Sequence, residues 1–268
     1  VARSLGLILT TSSLIQFSTT QRAEIQMSIH MSDELDALPL NRKNPGPFVI
    51  CAVLVDVSSS MNINNGEPIR ELNKGYSEFR EFICNDDMAS QRAQVIVIEF
   101  GSSARVAVPL QEGRSLPEHT FTASGLTAMG AAINKALDVI EVRKQEYKNE
   151  GIEYYRPWIV VLSDGSPTDE SVFEDAVKRL NEATARKRVT VFPIGVGADA
   201  DMKTLSRLSM PQRPALKLAG VDFSAFFEWL SSSMRAVTNS QTFGSDDDTL
   251  TEMTEQVQLA DVGGWSNP

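Results

Sequence analysis

The sequence predicts an α/β protein with a doubly wound, mostly parallel central sheet, one antiparallel edge strand and helices on both faces. Two observations carry this prediction. Apolar runs rich in β-branched residues, as in 48–56 and 159–163, are typical of strands buried on both faces of a parallel sheet. Segments with helical spacing alternate with these runs along the chain, and that alternation favours helices packed on both faces of one sheet.

The first half of the predicted domain begins with the strand over 48–56. The next helix carries Pro68 in its first turn, where proline is tolerated, and it has an apolar stripe of Ile69, Leu72, Tyr76, Phe79 and Ile83. Strands over 93–100 and 103–110 flank a Gly-Ser pair that signals a hairpin, so one of them is expected to be the antiparallel edge strand. The core face of a second helix is predicted to consist of Met129, Ile133, Ala136, Leu137 and Ile140.

The second half repeats the alternation. The strand over 159–163 leads to a helix that begins near Asp169, whose side chain is interpreted as the N-cap of that helix rather than as a metal ligand. A strand over 190–196, a short helix over 202–208 and a last strand over 215–218 follow. The final helix has an apolar face that is expected to belong to the core rather than to a cofactor site: Phe223, Phe226, Phe227, Leu230 and Met234.

Composition divides the chain into three parts: an N-terminal extension and linker over 1–46, expected to be partly disordered, one domain over 47–240, and an acidic tail over 241–268. The net charge is −10, and the last thirty residues hold six of the acids and no Lys or Arg. We expect Met27 or Met31 to be the true start, with residues 1–26 or 1–30 an over-extension, and hence a cytoplasmic location. A signal peptide around the short apolar stretch over 5–9 is the alternative. The acidic tail is expected to be a solvated, disordered end. A second hypothesis is that it folds back and offers an acid to the metal, or lays its apolar face on the domain.

Several classes of function are disfavoured by composition. The acidic balance argues against nucleic acid, because phosphate binding requires clustered Lys and Arg. Two cysteines and two histidines are too few for a disulfide framework or a structural zinc site. No apolar run approaches the roughly 20 residues that a membrane helix needs, so no membrane contact is expected.

Polar oxygen groups follow the predicted strands at their carboxyl ends. Asp56, Ser58 and Ser60 come at the end of the first strand, Thr127 opens the second helix, and Asp164 ends the strand over 159–163. In open α/β sheets the carboxyl ends of the strands are where ligands bind. One carboxylate with hydroxyl oxygens is a hard ligand set that suits Mg²⁺ or Mn²⁺ rather than Zn²⁺. The groups can converge only if the sheet is parallel and the strands are close.

These five residues resemble the metal-ion-dependent adhesion site of von Willebrand factor A domains, in both order and type of element. Four segments, 66–69, 124–130, 162–169 and 195–201, are similar to the bacterial TerY-like branch, which is associated with tellurite resistance and stress. The resemblance implies a non-enzymatic module that binds Mg²⁺, with Mn²⁺ as a substitute. It further implies a protein partner that completes the metal shell with an Asp or Glu, such as a phosphatase or kinase of the same system.

Two alternatives remain open. A strand-end acid such as Asp56 can serve as a nucleophile in a metal-dependent phosphohydrolase, but that chemistry needs a second acid two residues later, where Ser58 stands. The chain has neither a phosphate-binding P-loop nor a Ser nucleophile motif with a His partner. The other alternative is an accessory subunit of an AAA+ ATPase, a role that other von Willebrand A proteins have. We therefore expect no catalytic residues.

Overall fold

A computed structural model of the protein describes residues 46–239, except for 165, 198–199, 211–213 and 219–221. The predicted N-terminal extension and acidic tail lie outside these residues, so the expected disorder of the first segment and the fold-back of the second stay predictions. None of the helices in the described part of the chain is both long and apolar enough to cross a membrane.

The described residues form a six-stranded sheet with the order β3-β2-β1-β4-β5-β6. Neighbouring strands are parallel except for β2 and β3, which are antiparallel. This arrangement confirms the predicted fold class, including the single antiparallel edge. The strands are β1 (Val49–Asp56), β2 (Ala93–Phe100), β3 (Ala104–Glu112), β4 (Trp158–Ser163), β5 (Thr190–Gly195) and β6 (Leu216–Lys217).

Six α-helices lie in the described part of the chain, with 3₁₀ turns over Ser59–Asn62 and Gly113–Ser115. All the predicted helices are present, and the four-residue helix before β2 was not anticipated. The helices are α1 (Ile63–Asn85), α2 (Ala89–Arg92), α3 (Met129–Glu150), α4 (Glu170–Ala185), α5 (Met202–Ser206) and α6 (Phe223–Thr238).

Two apolar cores sandwich the sheet, because successive side chains of a strand point to opposite faces. The side chains of β1 show this division clearly: Val49, Cys51, Val53 and Val55 pack with α1 and α6, and Ile50, Ala52 and Leu54 pack with α3 and α4. Every residue of β1, β2, β4 and β5 is buried. The result is a three-layer domain whose central strands were predicted from their uninterrupted apolar runs.

The strand order places a topological switch point between β1 and β4, because the chain proceeds to β2 and β3 on one side and to β5 and β6 on the other. Connections leave β1 and β4 towards opposite faces of the sheet, which opens a crevice at their carboxyl ends. Asp56 and Ser163 are the last residues of these two strands. The fold therefore brings the predicted polar residues to the crevice between them.

The start of α1 departs from regular helix geometry. Asn64, Asn65 and Gly66 all have positive φ angles, of 50°, 60° and 78°. Regular helical geometry consequently begins after Gly66, which leaves Pro68 in the first regular turn, as the sequence predicted. A run of two left-handed asparagines is uncommon, since only Gly adopts this conformation without steric cost.

Candidate metal centre

Asp56 ends β1 and is 1% exposed. One carboxylate oxygen, Oδ1, accepts a hydrogen bond of 2.8 Å from the N–H of Ser58, and the other, Oδ2, accepts one of 2.6 Å from the hydroxyl of Ser163. Ser163 lies opposite Asp56 because Val55 and Leu162, the residues before them, are paired between β1 and β4. Both oxygens of the carboxylate are therefore held in place by neighbouring groups of the protein.

The environment of Asp56 changes its acidity. Burial raises the pKa of Asp56 from 3.8 to about 6, because a buried carboxylate loses its hydration. Hydrogen bonds from Ser163 and Ser58 lower the pKa in part, and the negative charge of nearby Asp164 raises it again. No cationic side chain among the described residues is a partner of Asp56, and a bound cation would offset the cost of burying its charge.

Ser58 and Ser60 follow Asp56 in the turn that leads into α1. Their hydroxyl oxygens lie 2.8 Å apart, with Ser58 buried and Ser60 half-buried. The 3₁₀ turn over Ser59–Asn62 produces this approach, since the N–H of Met61 donates to the carbonyl of Ser58 at 3.0 Å. Asp56, Ser58 and Ser60 are spaced by two along the chain, and the turn brings all three into one hydrogen-bonded group.

The loop that carries Thr127 lies against this group. The N–H of Ser124 donates to the carbonyl of Val57 at 2.7 Å, and the N–H and hydroxyl of Ser59 both donate to the carbonyl of Gly125 at 3.0 Å. Thr127 is 6% exposed and precedes α3 by two residues. These backbone contacts bring a residue distant in sequence to the same edge of the sheet.

Thr127 is itself held by Thr168. The N–H of Thr127 donates to the hydroxyl oxygen of Thr168 at 3.0 Å, and the N–H of Thr168 donates to the carbonyl of Thr127 at 2.9 Å. The two bonds join the loop before α3 to the loop after β4. Thr168 therefore positions Thr127 without being part of the predicted ligand set.

Asp164 follows β4 and is half-buried. Its Oδ1 accepts a bond of 3.3 Å from the N–H of Ser166, and its backbone carbonyl accepts one of 2.6 Å from the N–H of Asp201. These contacts fix the turn in which Asp164 lies. The structure thus places all five predicted residues in adjoining segments at one edge of the sheet.

The prediction that Asp169 caps its own helix is wrong. The Asp169 carboxylate makes no capping bond in α4. It accepts instead from the N–H of Gly130 at 3.2 Å and of Ala131 at 2.9 Å, in the first turn of α3. Asp169 is therefore a cap, but of the neighbouring helix, because tertiary packing brings Gly130 to within contact of Phe173.

Two of the donor atoms are separated by a distance that suits a small divalent cation. Adjacent ligands of an octahedral ion at about 2.1 Å are separated by about 3 Å, which is close to the 2.8 Å between the Ser58 and Ser60 hydroxyl oxygens. The remaining donors are the carboxylates of Asp56 and Asp164 and the hydroxyl of Thr127, which are hard oxygen ligands. No group of three or more His, Cys, Asp or Glu suited to a metal occurs among the described residues.

Sequence reasoning missed two residues of this centre, Ser163 and Thr168. A signal for Ser163 was available, because it ends the strand predicted to neighbour β1 and so could lie opposite Asp56. No comparable signal exists for Thr168, since its bond to Thr127 joins residues 41 positions apart. Both residues hold predicted ligands, but Ser163 was predicted only as the end of a strand and Thr168 only as part of the start of a helix.

The family model for the von Willebrand factor type A domain matches residues 52–226. This chain belongs to that family. The matched residues lie within the predicted domain over 47–240 and include Asp56, Ser58, Ser60, Thr127 and Asp164.

Solved structures share the fold. The pilus adhesin SpaC of Lactobacillus rhamnosus GG matches 73% of this chain with a TM-score of 0.56 and 13% identity. Proximal thread matrix protein 1 of the mussel byssus matches 69% with a TM-score of 0.50 and 17% identity, and its form with a zinc-occupied MIDAS motif matches 74% with the same score and identity. The chain covers only 31%, 46% and 47% of these three structures. At such identities the likeness establishes a common fold.

Proposed function

We propose that this chain is a metal-ion-dependent protein-interaction module. Ser58, Ser60 and Thr127, with Asp56 and Asp164, would hold Mg²⁺ or Mn²⁺ at the carboxyl ends of β1 and β4. The observation that supports this most directly is the 2.8 Å approach of the Ser58 and Ser60 hydroxyls beside a buried carboxylate that no cationic side chain accompanies in the described hydrogen bonds and ion pairs. The matched von Willebrand A fold, and the zinc-occupied MIDAS motif of the byssus protein, agree with such a site.

A cation held mainly by neutral hydroxyls keeps most of its charge and an open coordination position that attracts a carboxylate. The protein residues prepare this position. Ser163 and the N–H of Ser58 orient the Asp56 carboxylate, and Thr168 fixes the loop of Thr127. An Asp or Glu of a partner protein would then complete the coordination shell of the metal. The site would therefore recognise a protein that presents such a residue.

The contacts of Asp56 argue against the phosphohydrolase alternative. Nucleophilic attack requires a carboxylate oxygen that a bulky substrate phosphate can reach, but the Ser58 turn and the end of β4 lie against the two oxygens of Asp56. The side chain is also 1% exposed. We therefore propose that Asp56 has a role in binding and that the chain is not an enzyme.

The biological setting is proposed from motif resemblance alone. We propose a bacterial stress or tellurite-resistance system with a phosphatase or kinase partner, because four segments are similar to the TerY-like branch. A cytoplasmic location is proposed as well. An AAA+ ATPase is the alternative partner. To distinguish these partner classes, purified candidates of each are tested for capture by wild type and by Thr127→Ala. A partner bound through the metal is retained only by the wild type.

Isothermal titration calorimetry with Mg²⁺ and Mn²⁺ tests the metal site. We expect wild type to bind Mn²⁺ and both Asp56→Ala and Thr127→Ala to lose binding. Asp175→Ala is a suitable control, because Asp175 is an exposed acid on α4, away from the carboxyl edge of the sheet. Equal Mn²⁺ binding by wild type and Asp56→Ala would remove the proposed site. If wild type hydrolysed p-nitrophenyl phosphate and Asp56→Asn did not, the result would instead support the phosphohydrolase alternative.

A further inference from the structure

Three large hydrophobic side chains are exposed among the described residues: Ile63 at 57%, Leu126 at 59% and Val172 at 41%. A single exposed apolar side chain is ordinary on a protein surface. These three, however, all lie at the carboxyl edge of the sheet, where the candidate metal centre is. Each belongs to a different segment that leaves this edge, namely the start of α1, the loop before α3 and the first turn of α4.

Leu126 and Ile63 adjoin the metal ligands directly. Leu126 precedes Thr127, and its neighbour Gly125 accepts hydrogen bonds from the N–H and hydroxyl of Ser59 at 3.0 Å. Ile63 follows the 3₁₀ turn that holds Ser60. The Leu126 loop is fixed further by a bond of 3.2 Å from the Leu126 N–H to the hydroxyl of Ser102. These backbone contacts fix the positions of Leu126 and Ile63, whose side chains are exposed next to the candidate metal centre.

Val172 lies where the first turn of α4 meets the first turn of α3. A Cβ atom placed on Gly130 would lie 2.6 Å from the carbonyl carbon of Val172, so the first turns of α3 and α4 are in close contact. Asp169 strengthens this contact through its bonds to the first turn of α3. The side chain of Val172 remains exposed on this rigid junction.

The charges nearby restrict what can bind. Glu67 and Glu170 are exposed in the first turns of α1 and α4, and Arg70 is an exposed cation in the same turn as Glu67. Asp201 lies next to Asp164, through its 2.6 Å backbone bond. The guanidinium of Arg207 is already engaged by Glu174 at 2.6 Å. A ligand with one carboxylate at the metal is favoured, whereas further acids on that ligand would meet these negative charges.

Resting on the metal-dependent function proposed above, we propose that Ile63, Leu126 and Val172 form an apolar rim around the metal centre. The rim fits a protein partner whose single Asp or Glu is flanked by Leu- or Ile-sized side chains. Apolar contacts beside a central polar bond give both affinity and selection against other carboxylates. An acidic run does not fit, because its flanking charges would lie against apolar side chains and exposed acids.

Peptides immobilised on a biosensor test the rim with the full chain and Mn²⁺ in solution. The probes are Gly-Leu-Asp-Leu-Gly, Gly-Ser-Asp-Ser-Gly, Gly-Asp-Asp-Asp-Gly and the uncharged Gly-Leu-Asn-Leu-Gly. We expect the Leu-flanked Asp peptide to bind about tenfold more tightly than the Ser-flanked one, with binding lost in EDTA and with the Asn peptide. Leu126→Ser should remove this preference and leave Mn²⁺ affinity unchanged. Asp175→Ala, at an exposed position on α4, is the control and should behave as wild type.

Equal binding of the Leu-flanked and Ser-flanked peptides would overturn the rim while leaving the metal site intact. Tighter binding of the triple-Asp peptide, or no Mn²⁺-dependent binding of any peptide, overturns it as well. Calorimetry with Mn²⁺ on the same wild-type sample distinguishes these failures from failure of the metal site. The same peptide-binding measurements on Ile63→Ser and Val172→Ser show which side chains of the rim contact the ligand.

Discussion

Thr127 and Thr168 exchange two hydrogen bonds, of 3.0 Å from the N–H of Thr127 to the hydroxyl of Thr168 and of 2.9 Å from the N–H of Thr168 to the carbonyl of Thr127. One bond uses a side chain and the other only backbone, so a substitution can remove the first and keep the second. Residues that orient a metal ligand commonly affect metal affinity nearly as strongly as the ligand does. This pair therefore offers a test of how rigidly the site must be held.

Thr168→Val should lower Mn²⁺ affinity by about tenfold, because the Thr127 N–H loses its acceptor and the loop before α3 loosens. Thr168→Ser keeps the hydroxyl and should restore near wild-type affinity. Calorimetry with Mn²⁺ measures both variants. Equal affinities for Val and Ser at this position would mean that the backbone bond alone fixes Thr127.

Ser163→Ala should destabilise the metal-free protein by about 1–3 kcal/mol, the usual cost of leaving a buried acceptor without its donor. The acceptor is Oδ2 of Asp56, which takes its 2.6 Å bond from Ser163. The same substitution should raise the pKa of Asp56 further, since that hydrogen bond favours the charged form. Urea denaturation in EDTA gives the free energy of unfolding. A variant as stable as wild type would show that Ser163 does not hold Asp56.

The stability of the metal-free protein should fall as pH rises from about 4 to about 6. Burial raises the pKa of Asp56 from 3.8 to about 6, so the folded protein keeps the Asp56 proton to a higher pH than the unfolded chain does. Its contribution to stability is complete below the unfolded pKa and is lost as pH passes through the folded pKa. The loss amounts to about 3 kcal/mol, because one pKa unit corresponds to about 1.4 kcal/mol.

Asp56→Asn should flatten this part of the pH profile, since its side chain does not titrate. The difference between the two proteins, measured by urea denaturation in EDTA across this range, isolates Asp56 from other titrating groups. Parallel profiles for wild type and Asp56→Asn would show that Asp56 keeps an ordinary pKa in the folded protein.

Asp169→Ala should lower stability by about 1 kcal/mol, a typical cost of removing a helix cap. The lost bonds are those of 3.2 Å and 2.9 Å to the first turn of α3. Because these bonds also join α4 to α3, amide hydrogen exchange should quicken at Gly130 and Ala131 and not in the first turn of α4. Asp175→Ala is again the matched control. Faster exchange at the start of α4 instead would restore the interpretation of Asp169 as the cap of its own helix.

The structure also constrains the hypothesis that the acidic tail reaches the metal centre. The carbonyl of Thr238, at the end of α6, accepts hydrogen bonds from Arg92 at 2.8 Å and from Tyr155 at 3.2 Å. Arg92 and Tyr155 precede β2 and β4, so α6 ends at the amino edge of the sheet. A strand of eight residues spans about 26 Å, and the tail would have to cross that length before reaching Asp56.

Much of the architecture was predictable because the signals are local. Continuous apolar runs marked β1 and β4 as central strands, the Gly-Ser pair marked the hairpin between β2 and β3, and helical spacing marked the buried stripe from Ile69 to Ile83. The same locality placed Asp56, Ser58 and Ser60 together, since a strand end and the turn after it keep near neighbours in contact. In a parallel sheet the carboxyl ends of the strands meet at one edge, so Asp164 could be expected there too. Thr127 follows the antiparallel strand β3, and its loop reaches the same edge through contacts with Val57 and Ser59.

Only the tertiary structure decided which partners these residues take. Asp169 caps α3 rather than α4, Ser163 holds the carboxylate of Asp56, and Thr168 fixes Thr127, all through contacts between residues 38 to 107 positions apart. The exposure of Ile63, Leu126 and Val172 also depends on which elements pack beside them. Periodicity in the sequence indicates which face of one helix or strand is apolar. Hydrogen-bond partners and exposed side chains depend on the distances between elements, and these distances are determined only when the layers pack.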